Sequence, residues 1–182
     1  IDEAAFYGPK LDIQIKNVYG KEDTLITIQI DQLLAEQFGM EYIDKDGGKT
    51  RPYIIHRTAL GCYERTLALL IEKYAGAFPT WLAPVQVKVL PISENYADYA
   101  QQVYNELFDN GVRVELDSRN EKIGYKIRQA QMEKVPYMII VGEKEQADGM
   151  VSVRSRKDGD KGAMPREEFI AEILTEIKER RR

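Results

Sequence analysis

The sequence is poor in the side chains that build covalent or metal-bound frameworks, with one cysteine, one histidine and one tryptophan in 182 residues. The lone Cys62 excludes an internal disulfide and every paired-cysteine zinc or redox motif, so we expect a reducing, cytoplasmic environment. His56 alone cannot supply the three or four protein ligands of a zinc site. The longest apolar runs, such as residues 137–141, are far shorter than the roughly 20 residues that cross a bilayer, so we expect no membrane association.

An excess of charge of one sign is also missing. The chain carries 26 basic and 30 acidic side chains, a net charge of −4, so any attraction to nucleic acid must be local. Glycine-rich phosphate loops and the motifs HExxH and GxSxG are absent. The acidic first residues do not resemble a signal peptide, and the start at Ile1 leads us to expect part of a longer polypeptide.

A break in periodicity divides the chain. Residues 76–84 hold two prolines, a glycine and Trp81, which predicts domains at 1–84 and 85–182. In the first domain, alternating apolar and polar residues joined by turns predict an antiparallel sheet, and a helical repeat follows from residue 59 to Gly76. The predicted strands are 11–16, 24–31, 41–43 and 52–57.

Strands and helices alternate in the second domain. The predicted strands are 85–90, 112–116, 136–141 and 151–156, and the predicted helices are 93–111, 123–134 and 165–178. This order predicts an α/β domain with a mixed, mainly parallel sheet and helices on its faces. Helical spacing predicts that Tyr96, Tyr99 and Tyr104 lie in the core and not on a base-stacking surface.

The stretch PYIIHRTALGCYER, residues 52–65, carries the side chains best suited to chemistry. Arg65 follows the predicted strand on a helix, and a guanidinium there suits a phosphate or an aromatic base. The residues alone leave simpler interpretations open. His56 also fits a plain core or surface position, and Arg65 also fits a surface ion pair with Glu64 or Glu72.

Six segments in fixed order resemble the threonyl-tRNA synthetase family of class II aminoacyl-tRNA synthetases. They are FYGPK at 6–10, TIQID at 27–31, RPYIIHRTALGCYER at 51–65, FPTWLAPVQV at 78–87, RNEKIGYKIR at 119–128 and VPYMIIVGEKE at 135–145. The resemblance implies that residues 1–84 are the last part of a class II catalytic domain and residues 85–182 an anticodon-binding domain. It also implies an enzyme that joins L-threonine to tRNA(Thr) through a threonyl-adenylate made from ATP with Mg²⁺.

The resemblance assigns roles to residues in the first domain. Tyr7, Lys10 and Gln29 match positions beside the threonine and adenylate pocket, and Arg65 matches an ATP-binding arginine. His56 matches one of three ligands to a Zn²⁺ ion that contacts the amino group and hydroxyl of threonine. A Lewis acid that binds a hydroxyl rejects valine better than an apolar pocket does.

The resemblance also assigns roles in the second domain. Basic residues outnumber acidic ones in segments 117–134 and 150–161, although such segments are also typical of a solvated face. The positions that match anticodon contacts in the family are Asn120, Lys122, Arg128, Glu145 and Arg154. Asn and Glu suit base edges, whereas Lys and Arg suit phosphates or a splayed base.

Parts of the family's machinery lie outside these residues. In the family, the other two zinc ligands, the arginine on the α-phosphate and the homodimer interface come before the equivalent of residue 1. Cys62 replaces a usual Ser, and Thr24, Leu25 and Ile26 depart from the family's pocket strand. We therefore expect the chain to be catalytically inactive alone. A non-catalytic nucleic-acid-binding accessory protein or paralogue, and a small-molecule-binding α/β domain, remain alternatives.

Overall fold

A computed structural model describes residues 5–181 of the chain. They form two compact units, an N-terminal unit that ends at Lys73 and a C-terminal unit that begins at Tyr74. The domain boundary after residue 84 stays a prediction. No helix among the described residues has the length and apolar character needed to cross a membrane.

The N-terminal unit is built from five strands and two helices. In chain order they are β1 (Lys10–Lys16), β2 (Glu22–Asp31), α1 (Leu34–Gln37), β3 (Tyr42–Ile43), β4 (Lys49–Thr50), β5 (Ile54–Arg57) and α2 (Tyr63–Tyr74). β1, β2 and β5 form an antiparallel sheet in that order, which confirms the predicted hairpin.

The connection between β2 and β5 differs from the prediction of four strands in one sheet. β3 pairs with β4 in a separate two-stranded ribbon. The Asp44 carboxylate explains the tight turn between them, because it accepts hydrogen bonds from the backbone N–H groups of Asp46 and Gly48. Pro52 has no N–H to donate to a ladder, and β5 begins only at Ile54.

Helix α2 confirms the predicted helical repeat. None of its residues is buried, and Leu67 and Ile71 on its apolar stripe are 53% and 46% exposed. The helix begins at Tyr63, later than the predicted residue 59, so Arg65 lies in its first turn.

The C-terminal unit holds five strands and four helices. They are β6 (Val87–Pro91), α3 (Ala97–Asp109), β7 (Val114–Leu116), α4 (Ile123–Met132), β8 (Tyr137–Val141), α5 (Glu143–Asp148), β9 (Met150–Ser155), β10 (Gly159–Pro165) and α6 (Arg166–Glu179). The strand order is β10-β9-β8-β6-β7. The predicted α/β fold with a mixed sheet is confirmed.

Two of the four strand pairings in this sheet are parallel, β6 with β7 and β6 with β8, and two are antiparallel, β8 with β9 and β9 with β10. The sequence did not predict β10, whose GDKGAMP has no alternation of apolar and polar residues. Nor did it predict α5, a six-residue helix that ends at Gly149 in the left-handed conformation (φ 67°).

Apolar side chains cover both faces of the five-stranded sheet. On one face, α3 and α6 bury Leu107, Phe169 and Ile173 against the strands. On the other face, α4 buries Ala130 against Leu90 and Met138. Tyr99 is buried as predicted, and its hydroxyl donates a hydrogen bond to the Met150 carbonyl.

Helix α3 departs from its prediction at both ends. Ser93, the predicted first residue of the helix, makes no capping hydrogen bond, and a short 3₁₀ turn over Glu94–Tyr96 precedes the helix. The helix ends at Asp109, before the predicted residue 111, and Phe108 in its last turn is 60% exposed and stacks on Tyr104 with ring centroids 5.9 Å apart.

Candidate substrate pocket and nucleic-acid interface

Three predicted pocket residues form one row across the antiparallel sheet. Lys10 pairs directly with Gln29, and Gln29 pairs directly with His56. Because cross-strand partners project to the same face, the three side chains lie on one side of the sheet. The register therefore brings together three of the five residues that the resemblance assigned to threonine, adenylate and zinc.

Tyr7, a fourth predicted pocket residue, joins the row through a hydrogen bond from its hydroxyl to Gln29 Oε1, 3.3 Å away. The backbone of Tyr7 is hydrogen-bonded to the residue that follows β2, since the Tyr7 carbonyl accepts the Gln32 N–H at 3.0 Å. Gly8 makes this approach possible, because a Cβ there would lie 1.9 Å from the Ile30 carbonyl oxygen. The glycine of YGPK thus fixes Tyr7 against the row.

The side-chain amide of Gln29 has an unsatisfied hydrogen-bond donor. Its Nε2 atom is buried and has no hydrogen-bond partner among the described residues. A buried unsatisfied donor costs about 1–3 kcal/mol, so such atoms often mark a site where a ligand or water supplies the acceptor.

Asp31 anchors the end of the row. Its carboxylate is 2% exposed and accepts hydrogen bonds from the backbone N–H groups of Leu33 and Leu34 and from His56 Nε2, 3.0 Å away. The Leu34 N–H and the His56 contact lower the pKa of Asp31 against the opposing effect of burial.

The described residues do not form a zinc site by themselves. No group of three or more His, Cys, Asp or Glu side chains among residues 5–181 is arranged to hold a metal ion. His56 offers one imidazole, and its Nε2 already contacts Asp31.

Arg65 lies apart from the row. Its guanidinium donates a hydrogen bond to the Thr24 carbonyl at 3.1 Å, near the start of β2. Thr24 precedes Gln29 by five residues on the strand, a span of about 16 Å. The structure shows neither of the ion pairs with Glu64 or Glu72 considered from the sequence.

In the C-terminal unit, the carboxyl ends of three parallel strands meet at one edge of the sheet. These ends are Pro91 of β6, Leu116 of β7 and Val141 of β8. Asn120 and Lys122 follow β7 in an exposed loop at this edge. Ligands of open α/β sheets bind at such edges.

Two further predicted anticodon contacts lie on the face of the sheet that α4 covers, which we call the α4 face. Arg154 on β9 pairs with Met138, which packs against α4, so its side chain projects to that face. Met138 is three residues before the end of β8, which sets Arg154 back from the edge by about 10 Å. Arg128 is exposed on α4, about 8 Å along the helix from Ile123.

Three of these cations are free to bind an anion. Among residues 5–181, the side chains of Lys122, Arg128 and Arg154 have no hydrogen bond or ion pair. At the opposite end of the strands, the charge of Lys88 is neutralised. Lys88 lies between Glu133 and Glu115, whose hydrogen bonds outweigh the effect of burial and raise its pKa.

Glu145, the fifth predicted contact, has a structural role in this chain. Its Oε2 accepts the Gly142 N–H at 2.9 Å at the start of α5, and its Oε1 accepts the Ser152 hydroxyl at 2.7 Å. Both oxygens are engaged within the protein, so base reading by Glu145 stays a prediction.

Four residues at this edge were not predicted from the sequence. Lys126 is 2% exposed, and its Nζ donates to the carbonyls of Pro91 at 3.1 Å and Asp117 at 3.0 Å. The Asp117 carboxylate holds Arg119 through two hydrogen bonds, and the Arg119 guanidinium lies over the Tyr125 ring. An acidic residue at a strand end followed two residues later by Arg was the available signal.

Two family profiles match the chain. A profile described as "Anticodon binding domain" matches residues 86–176. One described as "tRNA synthetase class II core domain (G, H, P, S and T)" matches residues 1–74. The chain therefore belongs to the class II aminoacyl-tRNA synthetases that carry this anticodon-binding domain.

Within that class, the chain corresponds to the C-terminal region of threonyl-tRNA synthetase. It is 69% identical over 179 residues to the threonine–tRNA ligase of Clostridium perfringens and 57% identical over 178 residues to that of Clostridioides difficile. Each match covers 98% of this chain but 28% of the relative's length.

Two solved structures of aminoacyl-tRNA synthetases are similar to this chain. The crystal structure of the RNA binding domain of threonyl-tRNA synthetase from Cryptosporidium parvum matches 95% of this chain with a TM-score of 0.83 at 36% identity, and 44% of that chain is covered. Prolyl-tRNA synthetase from the same organism, solved with L-proline and AMP, matches 98% with a TM-score of 0.78 at 25% identity, and 39% of that chain is covered.

Proposed function

We propose that the C-terminal unit recognises the anticodon loop of tRNA(Thr) through the α4 face and its edge, within a longer threonine–tRNA ligase. The observation that carries this proposal is that Lys122, Arg128 and Arg154 have no hydrogen bond or ion pair among residues 5–181, on the same edge and face of the sheet that present the exposed Asn120. The chain as a whole is acidic, so this local surface is what favours RNA.

The side chains on the α4 face and at its edge suit a single-stranded loop. Phosphates need cations, which Lys122 and Arg128 supply, whereas base edges need hydrogen-bond donors and acceptors, which the Asn120 amide and the guanidinium donors of Arg154 supply. Unpaired bases of RNA loops expose the edges that a duplex hides.

A binding experiment with the 182-residue chain tests this function. We expect tighter binding of the tRNA(Thr) anticodon stem-loop than of a stem-loop with an exchanged anticodon, at two salt concentrations. Equal affinity for both would refute anticodon recognition, and a steep salt dependence without discrimination would leave only phosphate attraction.

Arg154→Ala provides the matching perturbation. We expect it to weaken the cognate stem-loop more than the exchanged one, because a lost base contact is worth about 1–3 kcal/mol only where the correct base is present. Lys157→Ala is the control, since Lys157 is also exposed but lies in the turn after β9.

For the N-terminal unit, we infer that Tyr7, Lys10 and Gln29 hold polar groups of threonine or its adenylate in the complete enzyme. The unsatisfied Gln29 Nε2 supports this assignment. Arg65 would contact ATP, which enters with Mg²⁺, and His56 would add one imidazole to a zinc site whose other ligands come from elsewhere. Homodimerisation of the longer protein is part of the same proposal.

The activity of the isolated chain gives a second test. Because Arg65 lies apart from the row, we expect no threonine-dependent exchange of pyrophosphate into ATP. Because the described residues hold no group of metal ligands around His56, we expect less than one equivalent of bound zinc. Exchange activity, or stoichiometric zinc by atomic absorption, would show that these residues suffice.

A further inference from the structure

Tyr125 is the exposed tyrosine of the C-terminal unit. It is 45% exposed on the first turn of α4, and the other tyrosines described between residues 74 and 181 are half-buried or buried. Its backbone N–H donates to the Lys122 carbonyl at 2.8 Å, so Tyr125 directly follows the loop of Asn120 and Lys122. Tyr125 is not one of the site residues predicted from the sequence.

Arg119 forms a second flat group at the same point. Its Nε and terminal nitrogen donate to the two oxygens of Asp117 at 2.8 and 2.6 Å, a two-pronged pairing that fixes the plane of the guanidinium. The Asp117 side chain is 3% exposed, whereas that of Arg119 is 51% exposed. The guanidinium carbon lies 5.9 Å from the centroid of the Tyr125 ring.

The pairing with Asp117 determines what Arg119 can offer a ligand. Its charge is largely balanced by a buried carboxylate, so it adds little to the attraction of phosphate. What stays available is the flat face of a rigid group next to an exposed aromatic ring. Unpaired RNA bases stack on aromatic rings and on arginine planes.

We propose that Arg119 and Tyr125 form a stacking site for one unpaired base of a single-stranded RNA loop, and that Asp117 holds this site rigid. The inference rests on the proposed function, because it adds a base-stacking position to the anticodon surface. Arg119 and Tyr125 are binding residues in this account, and Asp117 is a positioning residue.

Fluorescence of 2-aminopurine tests the stacking itself. Each base of the tRNA(Thr) anticodon loop is replaced in turn by 2-aminopurine, whose emission is quenched on stacking. We expect quenching at one position when the wild-type chain binds, and loss of that quenching with Tyr125→Leu. Affinity should fall about 10-fold with Tyr125→Leu, as for other aromatic stacking positions.

Conservative and control variants separate stacking from folding. Tyr125→Phe keeps the ring and should retain both affinity and quenching, whereas Arg119→Lys keeps the charge without the plane and should weaken binding. Phe108→Leu removes an even more exposed aromatic residue from α3 and should leave binding unchanged. The emission of Trp81 verifies that each variant is folded.

The outcomes distinguish this inference from the proposed function. If the wild-type chain discriminates between anticodons but quenches no loop position, or if Tyr125→Leu binds as tightly as wild type, the stacking site is refuted while anticodon recognition stands. If the wild-type chain does not discriminate, both fail.

Discussion

Replacement of Lys126 by methionine should destabilise the C-terminal unit, because Lys126 ties two strand ends together from inside the protein. Its Nζ reaches the carbonyl of Pro91 at the end of β6 and that of Asp117 just after β7. Methionine has a similar length and no donor, so it fills the space without replacing either hydrogen bond.

The expected loss is about 2 kcal/mol. Two buried carbonyls left without this donor cost about 1–3 kcal/mol each. Part of this loss is offset, because Lys126→Met also removes the unfavourable desolvation of a buried charge. Burial lowers the pKa of Lys126, which shows that the protein interior disfavours its protonated form.

Urea unfolding followed by Trp81 emission measures this loss. Trp81 is the only tryptophan of the chain and belongs to the C-terminal unit, so the signal reports that unit. With a slope of about 1–3 kcal/mol/M, a loss of 2 kcal/mol lowers the midpoint by about 1 M.

Lys122→Met is the matched control, at the residue that directly precedes the same helix. Lys122 is exposed, so we expect its replacement to change stability by less than about 0.5 kcal/mol. Equal midpoints for the Lys126 and Lys122 variants would refute the structural role of the buried lysine.

Three other perturbations have defined outcomes. Gly8→Ala should detach the segment around Tyr7 from β2, because the alanine Cβ would lie 1.9 Å from the Ile30 carbonyl oxygen. Faster hydrogen exchange at the amides of Ile30 and Gln32 would show this detachment, and unchanged protection of both amides would contradict it. Gly124→Ala should raise the urea midpoint by an amount equivalent to about 0.5–1 kcal/mol, since the alanine Cβ would meet no atom within 4 Å and alanine favours a helix. A lower midpoint would show that α4 does not tolerate a side chain at this position. Hydrogen bonds from Arg119 lower the pKa of Asp117 in the folded protein, against the opposing effect of burial. The stability that Asp117 contributes is therefore complete above about pH 4, its pKa in the unfolded chain, and is lost as the pH falls through its pKa in the folded protein. Asp117→Asn should therefore flatten the dependence of the urea midpoint on pH between 5 and 2.5, and parallel curves would refute this.

Local patterns predicted most of the fold. Alternation predicted the β1–β2 hairpin, and helical spacing predicted α3, α4 and α6. What the patterns missed depends on contacts distant in sequence. β10 is a strand because β9 offers it a partner, although its residues, with two glycines, have no apolar face of their own.

The candidate site shows the same division. The resemblance named the exposed Asn120 and the half-buried Arg154, which the fold brings to the edge and face of one sheet. It did not predict that both oxygens of Glu145 bind within the protein, because that depends on Ser152 across from α5.

Helix α2 and helix α4 show why a periodic sequence cannot settle burial. Both have an apolar stripe, and in both cases the stripe predicts which face turns inward. In α4 that face meets Leu90 and Met138, so Ala130 is fully buried and even Lys126 can be held without water. In α2 no residue is buried. The difference lies in the partners and not in the helices, which is why the C-terminal unit offers the more sharply testable function.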